Sequence, residues 1–468
     1  MGPEDFQYNS GNASHNAYNS VFGRLMYSFA DRYLLQVNVR SDGSSRFADG
    51  YRWGTFPSVS AGWVISEEPW FHSNTINFWK IRASIGQLGN EQIGSDFPYM
   101  AKLDVGTSYI PNSSTGTVDM VQNVKQTDYA FEDITWETTT TYGIGTDLAL
   151  FRNRLHFTGD IYYKKTTGML ISIGFPSYFG FNSPQANAAD MNTRGWEFSL
   201  SWNDQVGDFA YGASFNLSDY RSRMGYMADK QSISSNKLTE EGSFYQEWYL
   251  YQCKGIILNE AAMTDENGQK IAVLTASDKP GCLQYVNQNP DEDNIISASG
   301  DRVKCGNSLP ELQFGGQLWA AWKGFDFNLS FQGIGHQLSY WSWPVTPFNL
   351  QAYACPKNVM DSHWSPFNTD EENAKAKYPM LSTNTTNIYA GSDFYLFNGG
   401  YLRIKDITLG YTIPTSFTRR FKVNGLRFYV SANDLPAISK YPKGYDPEWN
   451  RSGDLLLTSY LFGVNITF

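Results

Sequence analysis

The 468-residue sequence contains no run of about 18 consecutive apolar residues, which excludes a transmembrane helix. Its formal net charge of −10 argues against a general nucleic-acid binder. The Gly-x-Ser-x-Gly elbow, the His-Glu-x-x-His helix and the phosphate-binding loop of common enzymes are also missing. We therefore do not expect an enzyme.

Cysteine and histidine are scarce, with 4 Cys and 5 His in the whole chain. No Cys-x-x-Cys pair or Cys/His spacing typical of a metal centre occurs. Two interpretations of the cysteines stay open. Either two of Cys253, Cys282 and Cys305 form a disulfide, or all four cysteines, Cys355 included, are free thiols.

The first residues, MGPEDFQ, have neither the basic segment nor the apolar segment of a secretory signal. An exported protein needs such a signal. If the protein is exported, we expect the chain to be either a processed product or a piece of a longer polypeptide.

Aromatic residues and glycine are abundant: 30 Tyr, 31 Phe, 14 Trp and 41 Gly. The mean hydropathy is nevertheless mildly negative. An alternating strand turns only half of its residues toward lipid, so this composition is typical of a membrane β-barrel. It is also compatible with a secreted all-β glycan-binding protein, which we keep as the alternative.

The closing segment shows the strand pattern most clearly. From Leu456 onward the even positions hold Leu, Thr, Tyr, Phe, Val, Ile and Phe, whereas the odd positions are mostly small or polar. A period of two predicts a strand with one apolar face. Twelve earlier segments repeat the pattern, which gives about thirteen strands. The alternation slips at Lys405 and Asp406, where we expect a β-bulge.

The connections between these strands sort by length. Short turns near residues 30–32, 66–78, 151–154, 203–208, 323–324 and 414–425 alternate with longer segments near 41–53, 89–128, 171–191, 225–310, 338–399 and 435–454. This asymmetry predicts an all-β fold, a transmembrane antiparallel β-barrel with short periplasmic turns and long extracellular loops near 89–128, 225–310 and 338–399. A β-sandwich has no reason to sort its loops in this way. The strand-like segment 244–257 then belongs to an outer loop.

Seven charged residues stand opposite the apolar stripes and are expected to face the lumen: Arg24, Lys80, Arg82, Asp147, Asp160, Lys164 and Glu197. An Arg or Lys facing lipid at mid-depth costs about 2–4 kcal/mol, which favours the lumen. We favour general hydration of the interior over a dedicated transport path as their role.

Several stretches resemble the barrel of SusC/RagA-type TonB-dependent transporters. They are VRSDGSSRF (39–47), YRWGTFPSVSAGW (51–63), KIRASIGQLGN (80–90), TWE (135–137) and, most specifically, GYLRIKDITLGYTIP (400–414). The resemblance implies a 22-stranded barrel with a plug in its lumen and import energised by TonB. It also implies a SusD-like surface lipoprotein over the outer mouth, and an oligosaccharide or a peptide as cargo. No cofactor is expected.

The sequence departs from that pattern in extent, because it holds no plug, no TonB box and only about thirteen strands. An open sheet with two unpaired edges does not sit stably in lipid, since each unsatisfied backbone group there costs several kcal/mol. We therefore expect residues 1–468 to be the carboxy-terminal part of a transporter barrel, or one part of a split protein, in the outer membrane of a Gram-negative bacterium.

The predicted loop at 338–399 is rich in aromatic residues, of which the candidates for cargo contact are Tyr340, Trp341, Trp343, Phe348 and Trp364. Flat rings on an outer loop are suited to stacking against sugars. The alternative, that these rings pack the loop or contact the lipoprotein, is favoured.

Residues 287–296 alternate carboxylate and amide side chains around Asp291 and Asp293, where relatives often carry a calcium-like loop. Hard cations bind such oxygen atoms. The central glycine is missing and the spacing is irregular, so an ordinary acidic turn is favoured over a metal site.

Overall fold

The computed structural model describes residues 13, 15–93, 97–101, 103–112, 116–126, 130–172, 178, 180–181, 185–290, 294–341, 355, 357–382, 386–448 and 456–468. Across these ranges, no helix has the length and apolar character needed to cross a membrane.

The main sheet contains thirteen antiparallel strands that neighbour one another in chain order. We number them β1 (Tyr18–Phe29), β2 (Tyr33–Ser44), β3 (Trp53–Val64), β4 (Ile76–Asn90), β5 (Glu137–Leu150), β6 (Leu155–Ser172), β7 (Gln185–Val206), β8 (Phe209–Met224), β9 (Glu311–Trp322), β10 (Phe325–His336), β11 (Tyr401–Ile413), β12 (Gly425–Asn433) and β13 (Ser459–Thr467). The two-residue strand Ile438–Ser439 pairs with β11 outside this path.

The chain divides into two compact units. The first comprises residues 1–196 and 222–230, and the second comprises 197–221 and 231–468. The first unit holds β1 to β6 and the start of β7, with short turns at 30–32, 65–75 and 151–154. Its longer connection at 91–136 contains a hairpin, Leu103–Asn112 with Thr117–Gln126, that the sequence pattern did not predict.

The second unit holds the end of β7 and the strands up to β13, apart from the last residues of β8. Its turns at 207–208 and 323–324 have two residues each. The turn at 414–424 contains the short helices Thr415–Thr418 and Arg419–Phe421. The longer connections follow β8, β10 and β12. In the second unit, short and long connections alternate as predicted. In the first unit, the connection at 45–52 is shorter than the turn at 65–75, so the predicted sorting by length fails at this point.

The thirteen predicted strands are all present, and so is the bulge. Between β10 and β11 the register passes from Ser330 opposite Asp406 to Phe331 opposite Ile404, which leaves Lys405 without a partner on β10. The strands extend further than the alternation suggested, most of all β7, because residues 185–195 are mostly small or polar and show no apolar alternation although they pair as a strand.

The long connections of the second unit fold into a layer of their own. A four-stranded sheet joins Ser232–Ser234, Lys237–Thr239, Glu247–Tyr251 and Arg302–Lys304, while Cys253–Ile256 pairs with Leu283–Tyr285 and Leu338–Tyr340 pairs with Leu396–Asn398. Short helices follow at Glu260–Met263, Lys357–Met360, Asp370–Asn373, Thr386–Tyr389 and Asp393–Tyr395. Segment 244–257 thus lies outside the main sheet, as predicted.

A buried cluster holds this layer together, and we call it the outer-loop core: Tyr251, Leu283, Tyr285, Ile296, Val359, Ile388 and Tyr395. Hydrogen bonds satisfy its polar atoms. The Tyr285 hydroxyl donates to the Asn387 carbonyl at 2.6 Å, and the Tyr395 hydroxyl donates to the Ile388 carbonyl at 2.6 Å. All four cysteines are free thiols, so neither unit contains the disulfide considered as one alternative.

Candidate transport wall and outer loops

In the first unit, the register fixes which side chains share a face of the sheet. Directly opposed residues lie on the same face, and one row of them crosses six strands: Arg24, Asn38, Ser58, Gly86, Thr141 and Lys164. Lys80, Arg82, Asp147 and Asp160 lie an even number of residues from members of this row and share its face. Six of the seven charged residues singled out in the sequence therefore lie on one face.

The opposite face of the first unit is apolar and exposed, with Leu25, Leu35, Val39, Val59, Ile85, Tyr142, Ile144 and Ile161. So large a continuous apolar surface is unfavourable in water and marks a surface that another phase or molecule covers.

An ion network crosses the polar face of the first unit. The Arg82 guanidinium lies 2.9 Å from Asp147 and 3.0 Å from Asp160, and the Lys80 ammonium lies 3.9 Å from Asp147. Arg82 and Asp160 belong to strands that both flank β5, and they meet above Gly145, which opposes each of them. A Cβ atom at Gly145 would lie 2.2 Å from the Asp160 carboxylate. The two cations and two carboxylates balance, so this part of the wall carries no net charge.

The other predicted wall residues have separate neighbours. Arg24 donates to the Asn38 side chain at 2.8 Å, and the Lys164 ammonium lies 4.7 Å from the centre of the Tyr162 ring. Glu197 is exposed on β7 in the second unit. A lumen-facing position for the seven residues stays a prediction.

The second unit repeats the arrangement with residues that the sequence did not single out as a site. Asp326 on β10 opposes Gly410 on β11, and Arg427 on β12 reaches across that glycine to Asp326 at 2.6 Å. A Cβ at Gly410 would lie 2.5 Å from the Asp326 carboxylate. The sequence contained a signal, because Asp326 alternates with Phe325 and Phe327 and so stands on the polar face of the strand.

The opposite face of the second unit is also apolar. Its exposed members include Phe209, Phe215, Leu318, Trp322, Phe325, Leu409, Phe428, Val430, Phe462 and Val464. Aromatic rings gather where these strands meet the short turns, for example Phe325 and Tyr411, whose ring centres lie 4.5 Å apart. Each unit by itself thus has one polar face and one apolar face.

A buried ionic cluster fixes the last long connection to β11. Arg403, only 1 % exposed, forms ion pairs with Asp446 and, at 2.8 Å, with Glu448. Lys405, the bulged residue, pairs with Asp434 and lies 3.6 Å from Glu448. The bulged Lys405 therefore shares the Glu448 carboxylate with Arg403. Periodicity predicts the bulge, but no pattern in the sequence indicates these partners.

Three residues of the family-like motifs in the first unit, Phe47, Phe56 and Trp136, form a small core together with Ile93 and Ile134. The Trp136 indole donates to the Arg52 carbonyl at 3.0 Å, and the Phe56 ring lies so close to Gly54 and Gly89 that a Cβ at either would clash with it. These motifs therefore serve to anchor the ends of β3, β4 and β5.

The described aromatic candidates in the outer loops are in packing contacts. Trp341 is 9 % exposed, with its ring centre 4.0 Å from that of Tyr445. Trp364 is 8 % exposed and donates to the Leu258 carbonyl at 2.9 Å. Tyr340 packs against the outer-loop core, 5.5 Å from Trp248. Trp343 and Phe348 lie outside the described residues. This geometry supports the packing alternative, and cargo contact stays a prediction.

Burial controls the chemistry of the loop thiols. It raises the pKa of Cys253 to about 12 and that of Cys305 to about 11. Burial also raises the pKa of Asp393, although the Cys253 amide donates to its carboxylate at 2.8 Å. Within the described part of the chain, no group of three or more His, Cys, Asp and Glu side chains is arranged to hold a metal ion. Asp291 and Asp293 lie outside that part.

Antiparallel strands in chain order, with one apolar face, one polar face and alternating short and long connections, define the wall of an outer-membrane β-barrel. The chain belongs to the TonB dependent receptor-like, beta-barrel family, whose model matches residues 2–435. It is an outer-membrane protein of the SusC/RagA type, as its relatives indicate.

Two curated relatives illustrate the likeness. The chain is 30% identical to TonB-dependent receptor P3 of Formosa agariphila over 93% of its own length and 42% of the relative. It is 28% identical to TonB-dependent receptor SusC of Bacteroides thetaiotaomicron over 97% of its length and 44% of that protein. The chain thus spans less than half the length of these relatives.

Solved structures of the RagAB peptide transporter share the fold. One superimposes with a TM-score of 0.75 at 23% identity and covers 97% of this chain and 47% of that one. A second, of the RagAB peptide importer in the "open-open" state, gives the same TM-score at 22% identity.

Proposed function

We propose that the chain forms part of the wall and the outer loops of a nutrient importer that takes up an oligosaccharide or a peptide by TonB-dependent transport. The observation that carries this proposal is the contrast between the two faces of the sheet. Its apolar face suits lipid, while its polar face holds charge pairs that lie flat above glycines and leave room for a plug and for cargo.

The peptide class of cargo is suggested by RagAB, which is described as a peptide transporter and importer, whereas the oligosaccharide class follows only from the sequence resemblance stated above. We further propose a SusD-like surface lipoprotein as the partner over the outer loops and TonB as the energy source, as the likeness to SusC implies. The family places the chain in the outer membrane, which removes the secreted glycan-binding protein as the alternative.

Uptake assays in the native bacterium test the proposal. A deletion strain and its complemented control would be supplied with defined oligosaccharides or with peptides as the limiting nutrient. We expect slower growth on one class only, and the same defect in cells whose TonB system is inactivated. Equal growth of both strains on every cargo tested would contradict import.

Co-purification tests the partner. The protein would be extracted from outer membranes in detergent and captured through a tag in the exposed loop around Ser277. We expect one surface lipoprotein in stoichiometric amount. A protein recovered alone, from membranes that were never exposed to high salt, would argue against the lipoprotein.

A further inference from the structure

The turn at residues 414–424, between β11 and β12, concentrates positive charge. It contains Arg419, Arg420 and Lys422 and no acidic residue. All three side chains are exposed, and within the described residues none of them forms an ion pair. Lys323, in the neighbouring turn of the same unit, differs: it lies 4.0 Å from Asp208 and 5.6 Å from the centre of the Trp322 ring.

Two exposed aromatic rings accompany these cations. Phe417 is 54% exposed and Phe421 is 68% exposed, and their ring centres lie 5.9 Å apart. The rings continue the aromatic band formed at this end of the strands by Tyr411, Phe428 and Phe325. Aromatic rings at the end of a lipid-facing surface mark the depth of the lipid headgroups.

The backbone at Lys422 has an unusual conformation for a lysine. Its φ of +59° lies in the left-handed region, which favours glycine. A lysine at this position keeps a third cation beside Arg419 and Arg420 at some conformational cost.

We propose that the cationic turn, defined as residues 414–424, binds the anionic headgroups of phospholipids in the inner leaflet of the outer membrane. Short turns face the periplasm in this class of barrel, so the turn lies at the leaflet that consists of phospholipid. Phe417 and Phe421 enter the acyl boundary while the three cations contact lipid phosphates. The proposal rests on the outer-membrane location and not on the cargo proposed above.

Lipid retention in mixed micelles tests this site. The protein, purified from outer membranes in detergent and stripped of lipid, would be equilibrated with equal amounts of phosphatidylglycerol and phosphatidylcholine of the same acyl chains. Bound lipids would then be counted by native mass spectrometry. A cation near an anionic lipid surface contributes about fivefold. We therefore expect the Arg419→Gln/Arg420→Gln/Lys422→Gln variant to lose the preference for phosphatidylglycerol by at least about tenfold.

A matched control removes the same charge elsewhere. Lys375→Gln/Lys377→Gln/Lys440→Gln changes three exposed lysines of the outer loops and is expected to keep the preference of the parent. Phe417→Ser/Phe421→Ser is expected to weaken retention of both lipids alike. A difference in gel migration between unheated and heated samples shows that each variant is folded.

Three results would overturn the proposal. Equal retention of the two lipids by the parent would show that no anionic site exists. Unchanged preference for phosphatidylglycerol in the triple glutamine variant would place the lipid site elsewhere. The cationic turn would then be a candidate contact for a periplasmic protein. Complete displacement of phosphatidylglycerol by millimolar inorganic phosphate would show a free-phosphate site rather than a lipid surface. Uptake of cargo is not a readout here, so failure of this site leaves the importer proposal untouched.

Discussion

Gly145 and Gly410 each lie beneath an ion pair that joins the two strands on either side. Because glycine has no side chain, the two charged groups can approach each other over the strand between them. The pairs are Arg82 with Asp160 and Arg427 with Asp326. Each pair is partly exposed, so its contribution to stability is about 0–1 kcal/mol. We therefore expect stability to depend more on the absence of a Cβ atom at the glycine than on the ion pair above it.

The first prediction concerns this steric requirement. Gly145→Ala would place a Cβ atom 2.2 Å from the Asp160 carboxylate, so the pair has to move. We expect a loss of about 1–3 kcal/mol in the free energy of unfolding, as for other overpacked sites, measured by urea denaturation in lipid vesicles. Gly23→Ala is the matched control, because nothing lies within 4 Å of its added atom. Equal stabilities of the two variants would contradict the steric argument.

The second prediction concerns the buried thiols. Because burial raises the pKa of Cys253 to about 12 and of Cys305 to about 11, both are almost entirely neutral thiols at pH 8. We expect iodoacetamide to modify them far more slowly than a free cysteine, with a rate that rises about tenfold per pH unit up to the pKa.

Denaturation without reductant supplies the control, since all four cysteines should then react. Fewer than four reactive thiols would reveal a disulfide. The raised pKa also favours the folded state only at lower pH. The contribution of Cys253 to stability is complete below the usual thiol value of 9.0 and is lost as the pH rises toward about 12.

Arg403 holds a whole connection, residues 434–448, against β11. Loss of one partner from a buried ion pair is costly, since it leaves the remaining charges unpaired. Arg403→Gln would leave Asp446 and Glu448 without their main cation. We expect the connection to open locally, and trypsin to cleave after Lys440 or Lys443 at least about tenfold faster.

Arg427→Gln is the control for this experiment. It breaks the pair with Asp326 on the same sheet but removes no contact of the 434–448 connection. Cleavage at Lys440 and Lys443 should therefore match that of the parent. If Arg403→Gln also leaves the cleavage rate unchanged, the cluster does not restrain the connection.

Elements also differ in how well the sequence predicts them. The thirteen strands could be predicted because lipid on one side and water on the other impose a period of two, down to the slip at Lys405. The hairpin Leu103–Asn112 with Thr117–Gln126 and the sheet around Glu247–Tyr251 could not, because no such boundary acts there. The face on which wall residues such as Arg82 lie could be predicted from the same period. The partners of Arg403 could not, because they lie more than forty residues further along the chain.

At the scale of the whole molecule, the alternation of short and long connections predicts topology in the cell. Ser277 lies in the long connection that follows β8 and Asp208 in a two-residue turn, and both are exposed. A membrane-impermeant maleimide should label Ser277→Cys in intact cells, but Asp208→Cys only after the outer membrane is permeabilised. The parent protein serves as the background. Labelling of both variants in intact cells would contradict the topology.

The glycines beneath the ion pairs have a consequence for assembly. A slip of one residue between β4 and β5 would turn a whole strand over and bring Asp147 and Gly145 to the lipid side. A slip of two residues keeps the faces but replaces Gly145 with Gly143 or with Asp147, whose side chain would stand where Arg82 and Asp160 meet. The triplet at Gly145 therefore opposes the one-residue slip and the two-residue slip that brings in Asp147, but not the slip that brings in Gly143, while the hairpins insert.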